Sequence, residues 1–268
     1  MPQPYAKKSL GQNFLDDPRY IDRIIDHVSP AADESIVEIG PGRGAITERL
    51  LESGSEVIAV ELDRNLVPML RHEFAANSNF RVIEADALNT DFRELLPKNG
   101  DKMRLVANLP YYISTAILQR LIEFRDCFSD MTLMFQLEVA DRITAKAGTS
   151  DRGFLTVMVE AYFETVKLFE LPPSAFRPAP KVTSAVVSLR PRSGPTPSLP
   201  EFRELVSAAF AQKRKTIQNN LKSVTYTSRE TLESAGIDPT RRAESLTRAE
   251  WLRLFDTTRR AGGRDSVD

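Results

Sequence analysis

The stretch Val37-Glu38-Ile39-Gly40-Pro41-Gly42-Arg43-Gly44 decides the fold. A β-rich run, S-I-V-E-I at 35–39, ends in a glycine-rich turn, and A-I-T-E-R-L-L at 45–51 continues with helical periodicity. A strand that passes through glycines into a helix opens a βα unit, because glycine lets the backbone turn sharply and approach a bound group closely. The alternation repeats outward from this point. Strands are predicted at 35–39, 56–61, 80–84, 104–108, 131–137, 165–171 and 182–189, and helices at 18–28, 45–51, 65–74 and 114–124. Strand-then-helix alternation predicts an α/β, Rossmann-like domain with a mostly parallel sheet and helices on both faces. The last two strands are joined by L-P-P-S-A-F-R-P-A-P-K at 171–181, with no helix between them. That predicts an antiparallel hairpin at the sheet edge.

The breaker-rich run P-R-S-G-P-T-P-S-L-P at 191–200 reads as a linker. Beyond it the β signal disappears, and short helices are predicted at 201–211, 216–223, 229–235 and 247–255. The expected domains are therefore 1–192 and a small all-α domain over 193–268, with 261–268 frayed.

The 268 residues, 41% hydrophobic and 27% charged, have an ordinary globular composition. Cys127 is the only cysteine, so an internal disulfide is impossible, and a reducing, cytoplasmic setting is expected. With two histidines, His27 and His72, beside that one cysteine, a Zn site is hard to assemble and no metal is expected. No stretch reaches the roughly 18 apolar residues of a membrane span, and the N-terminus lacks a signal-peptide run, so no membrane partner is expected. The formal net charge of −1 argues against nucleic acid, but the charge is segregated. Lys7-Lys8, Lys213-Arg214-Lys215 and Arg241-Arg242 are local basic clusters.

The glycine loop alone fits dinucleotide folds as well. Two details shift the balance: it reads G-P-G-R-G, not G-x-G-x-x-G, and Glu38 precedes it. Glu61 ends the second strand in V-I-A-V-E-L-D at 57–63, where a carboxylate can accept from both hydroxyls of a ribose; each charge-assisted bond is worth about 1.5–3 kcal/mol. Glu61 thus identifies a nucleoside without identifying the cofactor. Asp86, in E-A-D-A-L at 84–88, could accept from an adenine amino group while the Ala87 amide donates to a ring nitrogen. Alone, an Asp there is more often a helix cap.

The fourth strand runs into Asn108-Leu109-Pro110-Tyr111. Ligands of open α/β sheets bind beyond the carboxyl ends of the strands, so Asn108 should face the reacting group. Pro110 fixes its own φ and biases Leu109 toward an extended backbone, which can aim carbonyls at a bound base. An adenine amino nitrogen is a poor nucleophile because its lone pair is delocalised into the ring. Two acceptors, the Asn108 oxygen and a neighbouring carbonyl, would favour a pyramidal nitrogen with its lone pair directed at an electrophilic methyl. Tyr111 would supply a stacking face for a flipped base.

With these residues in place the sequence closely resembles the ribosomal RNA adenine dimethyltransferase family, in its small-subunit branch. The resemblance covers G-Q-N-F-L at 11–15, E-I-G-P-G-R-G at 38–44, Glu61, Asp86, N-L-P-Y at 108–111 and P-P-S-A-F-R-P-A-P-K-V at 172–182. It continues through K-R-K-T-I-Q-N-N-L-K at 213–222 and R-R-A-E-S-L at 241–246. It implies S-adenosyl-L-methionine as cofactor and N6,N6-dimethylation of two adjacent adenines in the 3′-terminal hairpin loop of small-subunit rRNA. The expected partner is a pre-ribosomal 30S particle, and the free enzyme is expected to be a monomer. The resemblance places Gln12, Asn13 and Leu15 over the cofactor. Gly40 and Gly42 would hold its methionine part, Glu61 and Leu62 its ribose side, and Asp86 and Ala87 its adenine, with Asn108 beside it. Leu109 and Pro110 would line the target pocket with Asn108, and Tyr111 and Phe176 would sandwich the base. From the residues alone, Phe176 reads equally well as hairpin core. Lys181, Lys213, Arg214, Lys215, Lys222, Arg241 and Arg242 are the expected RNA contacts. Helical spacing places Arg214, Ile217 and Leu221 on one face.

Three competitors remain. A large-subunit, antibiotic-resistance type of adenine methyltransferase usually carries Ile at the position of Leu109. Methylases of DNA adenine or of protein glutamine commonly show D/N-P-P-Y. A ribosome-assembly factor could keep the fold without catalysis, but the intact Asn108 and Tyr111 argue against that. A nicotinamide oxidoreductase is excluded by the lack of G-x-G-x-x-G and by N-L-P-Y, which hydride transfer does not need.

Overall fold

A computed structural model describes residues 7, 11–222, 224 and 227–263. Two compact units form. The first comprises the chain up to Ala140 together with Glu164–Pro191, and the second comprises Asp141–Phe163 and the chain from Arg192 onward.

In the first unit the elements run β1 (Phe14–Leu15), α1 (Pro18–Val28), β2 (Ser35–Ile39), α2 (Ala45–Glu52), β3 (Glu56–Glu61), α3 (Leu66–Glu73), β4 (Phe80–Glu84), β5 (Met103–Asn108), α4 (Ser114–Glu123) and β6 (Phe128–Gln136). Helix α5 (Leu137–Ile143) leads out of the unit and α6 (Phe154–Tyr162) lies outside it; β7 (Phe163–Leu171), β8 (Phe176–Arg177) and β9 (Ser184–Pro191) complete it. The seven-stranded sheet has the order β4-β3-β2-β5-β6-β9-β7. Neighbours from β4 to β6 are parallel, and β9 is antiparallel to β6. The last two strands are neighbours at one edge, as their helix-free connection requires. The central strands are buried on both faces and so read as unbroken apolar runs: Val57, Ile58, Ala59 and Val60 are all buried. Helix α1 shows the opposite pattern. It buries Ile21, Ile24 and Val28 at helical spacing, and Asp17 caps it by accepting from the Arg19 N–H.

Strand order reverses between β2 and β5, so the crevice of this fold opens beside the 40–44 loop. A second, two-stranded sheet, β1 with β8, pairs Phe14 with Arg177 and Leu15 with Phe176. Strands this short carry no periodicity, and the sequence did not predict them.

The second unit contains α6, α7 (Leu199–Ala209), α8 (Ile217–Leu221), α9 (Arg229–Ser234) and α10 (Arg248–Ala261). The sequence reading placed 141–163 in the first domain; here they join the C-terminal helices. Helix α6 went unread because it has no polar face: Leu155, Thr156, Val157, Met158, Val159, Ala161 and Tyr162 are all buried. Arg152 is buried within this unit, bound to Glu160 and donating to the Leu246 carbonyl at 2.9 Å. Helix α10 extends past the predicted 255 to Ala261, and residues 264–268, read as frayed, lie outside the described residues. Among the described residues no helix is long and apolar enough to cross a membrane.

Candidate active site

Strands β2, β3 and β5 end around one cleft of about 430 Å³ in the first unit, within the range of small-molecule sites. The parallel register sets its walls. Ile39 pairs with Val60 on one side and Ala107 on the other, so the loop that follows Ile39 lies between Glu61 and Asn108. Gly42 sits at φ +59, and a Cβ there would lie 2.8 Å from a Phe14 ring carbon. Gly44 sits at φ +86, and a Cβ there would lie 2.7 Å from the Phe74 ring. Both positions therefore demand glycine, by conformation and by contact. Phe14 closes over the loop, with the Arg43 guanidinium 4.7 Å from its ring centre.

Glu61 lines the cleft and is 6% exposed. Its oxygens accept from the Asp63 N–H at 2.7 Å and the Gly42 N–H at 3.4 Å. Burial pushes its carboxyl above the ordinary range, and those two donors offset part of the rise. Glu38 is buried beneath the same loop and accepts from the Thr47 hydroxyl. Burial pushes it up to about 7, partly opposed by Thr47 and reinforced by the Glu61 charge. Two desolvated carboxyls therefore lie at the glycine loop, with Arg43 lining the same cleft.

Lys7 and Gln12 are tied down by a group that the sequence did not reveal. Buried Asp63 accepts from the Gln12 amide at 3.0 Å and pairs with the Lys7 ammonium at 2.6 Å. Burial works against ionisation of Asp63, but the Lys7 and Gln12 donors and the Asn65 N–H outweigh it and hold its carboxyl below the ordinary range. Lys7 of the predicted basic cluster is thus committed to an ion pair, and Lys8 lies outside the described residues.

Asn108 donates from Nδ2 to the Asn13 carbonyl at 3.2 Å. A carbonyl can only accept, so this contact fixes which end of the amide is nitrogen. The Asn108 Oδ1 is consequently presented as an acceptor. Pro110 (φ −57) leads into a turn over Tyr111–Ile113, in which the Ile113 N–H donates to the Pro110 carbonyl at 3.2 Å. No hydrogen bond from the described residues reaches the Leu109 carbonyl. The Tyr111 hydroxyl bonds Ser184 Oγ at 2.7 Å, and burial raises its pKa.

Gln12, Asn13, Leu15, Gly40, Gly42, Glu61, Leu62, Asn108, Leu109, Pro110 and Tyr111 all line this cleft. Asp86, Ala87 and Phe176 do not. Asp86 caps its own turn, accepting from the Leu88 N–H at 2.9 Å and the Asn89 amide at 3.0 Å. Phe176 is 1% exposed and packs in the core with Phe14, Leu15 and Ala175, which is the second of its two sequence readings.

The basic residues divide. In the second unit Lys213, Arg214 and Lys215 are exposed on the turn between α7 and α8, with Lys213 donating to the Ser150 carbonyl at 2.9 Å. Helix α8 starts only at Ile217, capped by Thr216, so Arg214 does not share a helical face with buried Ile217 and Leu221. Lys222 and Arg242 are exposed, as is Lys181 in the first unit. Arg241 is instead a brace: it donates to the Ser245 carbonyl at 2.6 Å and to Glu250 at 3.1 Å. Its guanidinium holds the Glu250 carboxyl down to about 2. Arg241, expected as an RNA contact, is thus tied into its own unit with its side chain 30% exposed.

A family model described as ribosomal RNA adenine dimethylase matches residues 4–260. The chain is similar to a ribosomal RNA small subunit methyltransferase A of Hahella chejuensis, at 46% identity over 94% of this chain and 92% of the relative. The corresponding protein of Saccharophagus degradans is 44% identical over 94% of both chains. Among solved structures, a dimethyladenosine transferase from Plasmodium falciparum aligns with TM-score 0.82 and 27% identity over 93% of this chain and 98% of that one. The 23S rRNA methyltransferase ErmE aligns with TM-score 0.71 and 29% identity over 92% and 99%. Matched across nearly its whole length, with the glycine loop, Glu61 and the Asn108–Tyr111 turn around one cleft, the chain belongs to the ribosomal RNA adenine dimethylase family.

Proposed function

We propose that this protein transfers methyl groups from S-adenosyl-L-methionine to N6 of two adjacent adenines in the 3′-terminal hairpin loop of small-subunit rRNA. We place the reaction in the cytoplasm, on an assembling 30S particle, with the free enzyme a monomer. The observation that carries the chemistry is the Asn108 amide, held by the Asn13 carbonyl so that Oδ1 accepts.

The cleft fits the donor molecule: glycines that only a bare backbone satisfies, with the Glu61 and Glu38 carboxyls lining the same space. Gln12, Asn13, Leu15, Gly40, Gly42, Glu61 and Leu62 would hold it, with Asp86 and Ala87 beyond the cleft as candidates for its adenine end. S-adenosyl-L-methionine, when bound, supplies an electrophilic methyl group on a sulfonium. Asn108 Oδ1 and the Leu109 carbonyl accept the two N–H bonds of the adenine amine, drawing its lone pair out of conjugation. Alignment of this kind supplies on the order of 7–11 kcal/mol. No strong base is needed, because the methylated nitrogen is acidic and releases its proton to water. Tyr111 provides the stacking face. Phe176 could join it only by leaving its core position.

The large-subunit alternative is not favoured, since identity to small-subunit relatives reaches 46% and to ErmE 29%. Tritiated-methyl transfer to unmethylated small subunits, large subunits and plasmid DNA tests the reading. Label on small subunits alone is expected; label on large subunits alone would overturn it.

Glu61→Ala and Asp86→Asn, the latter chosen to preserve the Leu88 turn, should each weaken S-adenosylhomocysteine binding roughly ten- to hundredfold. Calorimetry reads this directly, and wild-type affinity in either variant removes that residue from the cofactor site.

For the RNA face, the exposed K-R-K turn, Lys222 and Arg242 are candidates, with Lys181 on the first unit. Reversing Lys213, Arg214 and Lys215 to Glu should weaken small-subunit binding. The slope of log affinity against log salt should flatten by roughly 0.7–0.9 for each phosphate that the variant no longer neutralises. Affinity for S-adenosylhomocysteine should be unchanged. An unaltered salt slope would make the turn a solvated surface.

A further inference from the structure

Four large hydrophobic side chains are exposed among the described residues, and two of them, Leu62 and Tyr112, line the cleft. Leu62, 49% exposed, borders the proposed ribose side, but the chemistry above leaves Tyr112 without a task although it is 62% exposed. A lone exposed apolar residue needs no explanation. Tyr112 differs in lying at the rim of the cleft, with the backbone of Gly11 close to its ring. Gly11 lies against its ring at φ +58, and a Cβ there would come 3.3 Å from Tyr112 Cδ1, so a bare backbone allows the contact. The short turn Tyr111–Ile113 carries both tyrosines, yet they behave oppositely. Tyr111 is half-buried and pinned through its hydroxyl to buried Ser184. The Tyr112 hydroxyl makes no hydrogen bond among the described residues, and its ring remains open to solvent.

An adenine presented to Asn108 must be out of any base stack. Its neighbour in an unpaired loop then loses a stacking partner and offers a bare face. Proteins that grip unpaired RNA cover such faces with aromatic rings, and the gain is tolerant of sequence. We propose that Tyr112 is a second nucleobase platform, stacking the unpaired base next to the target adenine while Tyr111 holds the target itself. The proposal rests on the rRNA-methylation reading. It gives the enzyme a grip on the dinucleotide step that is independent of the cofactor.

The test uses the full-length protein and unmethylated small subunits, with Tyr112→Ala, Tyr112→Phe and Tyr112→Trp. Loss of the ring should raise KM for the subunit about tenfold, within the range measured for single stacked bases, with kcat reduced less than KM is raised. Phe and Trp should restore it, because the face and not the hydroxyl does the work. Affinity for S-adenosylhomocysteine, read by calorimetry, should match the wild type in all three. If Tyr112→Ala weakened that affinity and left KM alone, the ring would be part of the cofactor cover and the platform would be refuted. If Tyr112→Phe were as impaired as Tyr112→Ala, stacking would be refuted. A wild-type protein that does not label small subunits removes the rRNA reading and the platform with it. Normal wild-type labelling with an unchanged KM in Tyr112→Ala removes the platform alone.

Discussion

Asn108→Ala is expected to lower kcat on small subunits about a thousandfold while leaving S-adenosylhomocysteine affinity largely intact. Removing one preorganised polar group that acts at the reacting centre costs about 10²–10³ in rate. Here the loss is placed at the upper end because the side chain orients the nucleophile as well as binding it. The structure adds a second variant. Asn108→Asp keeps an acceptor but loses the amide N–H that meets the Asn13 carbonyl 3.2 Å away. Two acceptors would then face each other, so the carboxylate should swing away from the position Oδ1 now holds. Activity of Asn108→Asp is therefore expected to fall well below wild type, although above Asn108→Ala. Single-turnover methyl transfer at saturating cofactor separates chemistry from binding. If Asn108→Ala lost affinity for S-adenosylhomocysteine in proportion to its rate, Asn108 would be a cofactor ligand and the acceptor role would be wrong.

The parts of this molecule that the sequence made legible are those governed by local rules. The apolar run V-I-A-V was legible as a strand covered on both faces because it alternates with helical stretches, and the loop after Ile39 had to be glycine-rich to turn beside a ligand. Asn108 was legible because a strand end in this topology points at the crevice. What escaped depends on tertiary contact. Nothing in the sequence marks Asp63, and only the fold reveals that it is buried and tethers Lys7 and Gln12. Arg241 sits in a sequence that looks basic and free, yet Glu250, nine residues later on α10, occupies it. Helix α6 was invisible because amphipathicity is a signal of half-burial, and α6 is buried on nearly every side. Phe176 was undecided between pocket and core; its pairing with Leu15 in the small sheet takes it into the core.

The Tyr111 hydroxyl is the point at which the structure most changes an expectation drawn from sequence, where the ring face alone was given work. Its bond to Ser184 anchors the ring against β9, so Tyr111→Phe should not be neutral. The variant leaves the buried Ser184 hydroxyl without this partner, at a cost of about 1–3 kcal/mol. The ring face survives, and activity should fall no more than about tenfold, with a lowered melting temperature. Tyr111→Ala removes the anchor and the stacking face together. A stacked base is worth about 1–3 kcal/mol, and a desolvated π face near a developing cation adds up to about 2 kcal/mol. The expected loss in kcat/KM is therefore about a hundredfold or more. Ser184 supplies the control. Ser184→Ala should resemble Tyr111→Phe, because each strands one partner. The double variant Tyr111→Phe/Ser184→Ala should recover stability relative to Tyr111→Phe, since removing both members of a buried pair is nearly neutral. Thermal melts and methyl transfer on all four proteins decide the matter. A double variant no more stable than the singles would mean that the Tyr111 hydroxyl and Ser184 are not coupled, and the anchoring role would be wrong.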